Sequence, residues 1–587
     1  MTTMERKWTE RHRLQALGRE SADLLLKNCK LVNVLSGEIE DGIDIAIGGD
    51  RIVGVGHGYE AAHVIDCTGL YVHPGLIDAH IHLESTKMTV FHAAKRMSQS
   101  GTTAVITDPH EITNVAGLAG FMFQSECARL NRYIDVYFTA PSCVPTLNDL
   151  SVETPGAKLD SETLALLANM PSVVGLGEMM NVPGVLDGDA EVIEKIDRFL
   201  SVGKVVDGHA PGLSGHALNA YIASGISSDH ESTVLEEARE KLRRGMYVMI
   251  REGTSEHNLE ALLPLIDKNG RNISRLMFVS DDLDPRDMEG GHINRLLRRA
   301  VAAGVDPIMA IQMATSSPAR YFGLDREIGA IAPGMLANIV VCQDLIDFNV
   351  HTVVFHGRVS SSRRLQQKED ENDLRLPYLP TTMNVALPAL EDLRVPYRKG
   401  MQLRTIDLVE GQIVTRAGVV DPCVVGGYVV ASPADDVAKI CVFDRHRASG
   451  SVGIGFVRGF GLKRGAFGST VAHDSHNLII VGIDDESILT CADRIVAMGG
   501  GQAAIDGDSF VDMPLPIAGL MSDMDDVVEK ETTMAEFCKT ALELKLKDPF
   551  AALSFLALPV IPEIRITDRG LFRIHPDGGP ECVDVLV

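Results

Sequence analysis

Short apolar runs separated by turn residues mark the first part of the chain. From Asp23 to about Leu70, LLLKNCKLVNV, DIAIGG and RIVGVG read as strands punctuated by Gly and Asp. From Tyr71 the texture changes, and apolar runs alternate with helical stretches, the pattern of repeated βα units around a parallel sheet. The predicted strands are Leu76–Ala79, Thr103–Thr107, Val136–Ala140, Val173–Gly177, Val205–Gly208, Ile226–Asp229, Tyr247–Ile250 and Leu276–Ser280, with helices between them such as Ala190–Val202 and Val234–Arg244. Eight such units over roughly 250 residues predict an α/β fold, a (β/α)8 barrel. After it, GAIAPGMLANIVVCQDL and HTVVFHGRVS are strand-like again, and are expected to complete the small sheet begun at Asp23. A charged stretch, SSSRRLQQKEDEND, reads as a linker. The remainder is Gly-rich and strand-rich with a helical segment near Ala535–Leu544, a C-terminal mixed α/β domain. The expected division is an N-terminal helical extension (1–22), a small β domain built from both sides of the barrel (23–70 and 325–360), the barrel (71–324), a linker (361–373) and the C-terminal domain (374–587).

Composition narrows the function. A chain of 587 residues suggests about three folding units, and 45% hydrophobic residues supply a large core. The net charge of −25 argues against nucleic acid or an anionic membrane as the main partner, but not against a small neutral base. Ten scattered cysteines without a CxxC pair suit a reduced, cytoplasmic protein. The N-terminus lacks an apolar segment of the secretory kind, and no run of eighteen apolar residues predicts a membrane helix. A homo-oligomer, a dimer first, is the default expectation.

Candidate chemistry begins at Asp78-Ala79-His80-Ile81-His82. Residues i and i+2 of a strand point the same way, so His80 and His82 aim two imidazoles at one place, as a divalent transition metal requires. Alone, HxH is a weak signal. Other predicted strands, however, end in Glu178, His209, His230 and Asp281, all metal-ligand types, at the face where barrel enzymes keep their sites. A core imidazole could explain one of these histidines but not the set.

PGLIDAHIHLES, with Glu178, His209, His230 and Asp281 following in order, resembles the amidohydrolase superfamily, as does GAIAPGMLANIVV. TDPHEITNVAG, GLGEMMNVPGV, DGHAPGL, SSDHEST, and the C-terminal FDRHRASGSVGIGFVRGFGLKRGAFGSTVAHDSHNLIIVG and PLPIAGLMSD resemble its adenine deaminase family. The resemblance implies two divalent ions, Mn2+ or Fe2+, with zinc also compatible with the donors. His80 and His82 would hold one, His209 and His230 the other, Glu178 would bridge them, and Asp281 would touch one metal and the nucleophilic water. It implies adenine as substrate, with a metal-activated hydroxide attacking C6 and Asp281 taking the water's proton. A second acid is needed for ring and leaving group. Glu84 and Asp282 are candidates, while Asp108, His110, Glu111 and Glu231 could face the purine. The bland readings are an orienter of a ligand histidine for Glu84, and a cap or loop ion pair for Asp282 and Glu231. His473 and His476 read as a structural or site-covering pair in preference to a metal pair. The competing readings are hydrolysis of another aminated heterocycle or a cyclic amide, and a non-enzymatic barrel scaffold.

Overall fold

The computed structural model describes residues 8–147, 151–254, 256–362, 375–409, 413–575 and 579–587. Its centre is a curled parallel sheet. One part runs Val205–Gly208, Val173–Met179, Asp135–Ala140, Thr102–Thr107, Leu76–His82 and Asp281–Asp282; the other runs Ser228–Asp229, Tyr247–Arg251 and Leu276–Val279. Leu276–Val279 and Asp281–Asp282 are one strand broken at Ser280, where Asp281 adopts φ +58°. The first half pairs with Tyr247–Arg251 and the second with Leu76–His82, so this strand joins the two parts. At the other seam the Ser227 amide donates to the Val206 carbonyl at 3.0 Å.

The helices on the outer face follow from local sequence. In Ala190–Ser201, Val192, Ile196 and Phe199 fall on one face and are buried. The Asp189 carboxylate caps the first turn by accepting from the Glu191 and Val192 amides, and Gly203 follows the last turn at φ +75°. The N-terminal helix, Glu10–Ala16, is capped in the same way by Thr9.

Strands from both flanks of the parallel sheet share a second, eight-stranded sheet. Ile339–Cys342 pairs antiparallel with Tyr71–Pro74, which pairs in parallel with Ala22–Asn33. The predicted linker lies, from residue 363, outside the described residues. The C-terminal region forms another eight-stranded sheet, centred on Val437–Phe443 and Leu478–Gly482, with helices Asp485–Ala497 and Val527–Thr540. One buried apolar cluster runs from Ile81, Met88, Phe91 and Ile112 on the parallel-sheet side to Ile440, Phe467, Ile479 and Leu520 on this sheet. The C-terminal unit is therefore packed onto the part of the molecule that carries the histidines, with a shared core.

Among the described residues no helix is long and apolar enough to cross a membrane. The ten cysteines are free thiols, with only Cys423 and Cys582 exposed.

Candidate metal centre and substrate cleft

The Leu76–His82 strand is buried at every position, yet three of its seven residues are Asp or His. Buried polar groups need partners, and the partners show what the strand is for. His80 Nε2 and His82 Nε2 lie 3.2 Å apart. His82 Nδ1 sits 3.0 Å from the Asp108 carbonyl; donating there would leave Nε2 as the free base. Asp78 accepts from the Ser280 amide and faces His292 Nε2 at 2.9 Å, which anchors this strand to the broken one.

Glu178, at the end of Val173–Met179, stands between two histidine pairs. Its Oε1 is 3.5 Å from His82 Nε2, while its Oε2 is 2.6 Å from His209 Nδ1 and 3.1 Å from His230 Nε2. The His80 and His230 rings stack with centroids 4.2 Å apart. Asp281 Oδ1 lies 3.0 Å from His82 Nε2 and 3.6 Å from His80 Nε2. All six residues singled out for metal binding thus meet at one place.

Burial lowers His82 and His230, but the carboxylates around them outweigh it and raise both imidazoles, His230 to about 9. Burial lowers the His80 imidazole to about 4, helped by His230. Burial pushes Glu178 up, but His209 and His230 outweigh it and hold the carboxyl well below its usual range. Asp281 is likewise raised by burial and lowered further by Arg251, His80 and His82. Subsets of these residues bring three ligand atoms within 4.8 Å of one another, among them His80–His82–Glu178, Glu178–His209–His230 and His80–His230–Asp281. Imidazoles and ionised carboxylates converging on shared points are a donor set that fits divalent transition metals.

The other predicted residues surround this set in different ways. Asp108 Oδ2 accepts from the Glu178 amide at 3.0 Å, and burial raises its carboxyl to about 7. A Cβ at Gly177 would stand 2.1 Å from the same oxygen, so glycine is required for this approach. Glu84 Oε1 accepts from the Ile112 amide at 3.2 Å, and its Oε2 is buried without a hydrogen-bond partner. Glu231 lies 3.5 Å from His230 Nε2 and is paired with Arg251. His110 Nδ1 is 3.4 Å from Glu178 Oε1. Oε2 of Glu111 and Oδ1 of Asp282 have no hydrogen-bond partner, and both residues line a cleft beside the cluster.

Residues 71–360 match the amidohydrolase family, and residues 412–577 match the adenine deaminase C-terminal domain. An adenine deaminase of Desulfatibacillum aliphaticivorans is 44% identical over 570 residues, covering 95% of this chain and 97% of the relative. One from Methanothrix thermoacetophila is 45% identical, covering 96% and 97%. This chain belongs to the adenine deaminase family. In this member, the C-terminal unit reaches the residues around the metal cluster. His473 Nδ1 is 3.3 Å from Glu111 Oε1, and Asp474 Oδ1 is 3.8 Å from His110 Nε2. Burial lowers His110, but Asp474 and Glu178 outweigh it and raise the imidazole to about 10.

Two features escaped the sequence. Arg251 ends its strand buried, 2.6 Å from Asp281 Oδ2 and paired with Glu231. It was findable: the end of the Tyr247–Ile250 strand carries a cation where its neighbours carry ligands. The other is the approach of Asp474 to His110, more than three hundred positions away, which leaves no local signal; His473, read as site-covering, does line the cleft.

Proposed function

We propose that this chain catalyses the metal-dependent hydrolytic deamination of adenine, converting adenine and water to hypoxanthine and ammonia. The observation that carries this reading is the near-complete alignment with relatives named adenine deaminase, in a chain whose four histidines and two carboxylates converge as described. His80 and His82 would hold one divalent ion and His209 and His230 the other, with Glu178 and Asp281 completing the donor set; Mn2+ or Fe2+ is proposed, and zinc suits the same donors. When bound, such ions lower the pKa of a water toward about 7 and supply a nucleophile at neutral pH.

The protein's own groups do the rest. Asp281 Oδ2 is committed to Arg251, leaving Oδ1 on the histidine side to accept the water's proton. Addition at C6 shifts charge to ring N1, and the amino group must gain a proton to leave as ammonia. Asp282 and Glu111 face the cleft with unpartnered oxygens, and are assigned to holding that proton and the ring. Glu84, turned to the Ile112 amide, positions the loop after the HxH strand. Asp108 positions Glu178, His110 positions its other oxygen, and Glu231 with Arg251 positions Asp281.

The same reading takes residues 71–324 as a closed (β/α)8 barrel, 23–70 with 325–360 as its β domain, and 374–587 as the C-terminal domain of a cytoplasmic homo-oligomer. The experiment is ammonia release from adenine by the metal-loaded protein, set beside other aminated heterocycles and cyclic amides. Preferred turnover of adenine is expected; turnover of a cyclic amide with none of adenine would contradict the substrate.

A further inference from the structure

The cleft beside the metal cluster is walled by two parts of the chain. Glu111 and Asp282 come from the parallel-sheet side; His473, Gln502 and Ser554 come from the C-terminal unit. It offers about 60 Å3 to water centres, room for roughly four waters, the scale of one bicyclic base. Gln502 Oε1 and Ser554 Oγ are buried in its wall without a hydrogen-bond partner, as are Oε2 of Glu111 and Oδ1 of Asp282, while Glu111 Oε1 faces His473 Nδ1 at 3.3 Å. Unpaired polar atoms at that density cost stability unless a ligand or water satisfies them. The His473 ring stacks on Phe555, with centroids 4.8 Å apart and planes at 17°, which gives this wall a flat face.

We infer that Gln502 and Ser554, with His473, form the recognition wall for the ring edge of the base, so that the C-terminal unit completes the substrate site. This rests on the adenine reading above. A purine presents ring-nitrogen acceptors and N–H donors side by side. A carboxyl group donates only while it holds a proton, whereas a carboxamide and a hydroxyl both accept and donate at any pH. On the parallel-sheet side of the cleft, Ser85 and Thr254 already donate to the His82 carbonyl and to Asp287, and Lys87 is paired with Asp284 and Glu531, which leaves Glu111 and Asp282; the paired donor and acceptor come from Gln502 and Ser554. A third cation on Glu111, His473 and His476, three ligand-type residues that also cluster there, fits less well. The Ala472 amide donates to His476 Nδ1 at 3.1 Å, so the neutral ring carries its proton on Nε2 and has no lone pair left for an ion.

The test uses the full chain loaded with Mn2+, as wild type, Gln502→Leu and Ser554→Ala. Bound metal, unfolding temperature, kcat and KM are measured for adenine and its 3-deaza and 7-deaza analogues. Expected for Gln502→Leu are unchanged metal content, a KM for adenine raised at least tenfold, a smaller change in kcat, and a reduced preference for adenine over one of the analogues. Ser554→Ala, the smaller change, should move KM and preference in the same direction. Wild-type KM and preference in both variants would overturn the inference while leaving the deaminase reading intact. If the wild type releases no ammonia, that reading falls, and equilibrium binding of adenine and hypoxanthine decides the inference. Binding weakened by Gln502→Leu would sustain it, and no binding, or binding indifferent to both variants, would overturn it.

Discussion

Replacing Gly177 with alanine adds one methyl group beside the proposed metal centre. Its Cβ would lie 2.1 Å from Asp108 Oδ2 and 2.7 Å from Asp108 Cγ. About 1 Å of movement restores an ordinary contact, and Asp108 is fully buried, with little room to give. The carboxylate must leave the Glu178 amide, or the Glu178 backbone must move with the strand. Overpacking costs about 1–3 kcal/mol, and loss of a buried hydrogen bond to a charged group about 1.5–3 kcal/mol. The sum, about 2.5–6 kcal/mol, should lower the unfolding temperature of a chain of 587 residues by about 2–5 °C. Because Glu178 faces both histidine pairs and the Asp108 carbonyl sits against His82 Nδ1, displacement reaches both proposed ions; a misplacement of about 1 Å costs on the order of 100-fold in rate. The assay is ammonia release with metal content by elemental analysis, with Gly290→Ala as control, where the added Cβ meets nothing closer than 3.9 Å. Full activity, metal content and stability in Gly177→Ala would refute the argument that Asp108 sets the position of Glu178.

Other outcomes follow from the same geometry. Arg251→Met takes from Glu231 and from Asp281 Oδ2 their buried guanidinium partner, and should cost about 3 kcal/mol in denaturant unfolding together with most of the turnover; a silent variant would show that Arg251 does not hold Asp281. Burial raises Asp284 but Lys87 and Arg286 outweigh it, so its carboxyl falls to about 2 from an ordinary value near 3.8. A depressed carboxyl stabilises above about pH 4 and loses that contribution as pH falls toward 2. Wild type should therefore exceed Asp284→Asn by about 2 kcal/mol at pH 6, and a gap that does not narrow below pH 4 would contradict this. Stripping metal with a chelator should lower the unfolding temperature, and adding Mn2+ should restore it; equal melting of both forms would argue against an ion on these histidines.

Much of the strand framework was readable because buried parallel strands are near-continuous apolar runs with sharp ends. Val173–Gly177 and Leu276–Ser280 were placed within two residues of the observed strands, and the polar residues that closed them were the ones that converge. Ile226–Asp229 was overextended: only Ser228–Asp229 pairs as strand, since Ile226 serves the outer core instead. The break at Ser280 was not readable, because a single residue at positive φ leaves no periodic trace. The helix expected near Ala535–Leu544 starts earlier, at Val527, and ends at Thr540. Arg251 was passed over because strand ends were read for ligands rather than for counter-charges. Gln502 and Ser554 were invisible for a different reason: their significance arises only from docking, which neither alternation nor helical spacing encodes.

The most direct test of the central claim is ammonia release from adenine as a function of Mn2+ bound per chain, in the wild type and in His80→Ala. The account predicts turnover that rises to a plateau at two ions per chain and is absent in His80→Ala. Turnover that survives removal of the metal, or its absence at two bound ions, would contradict it.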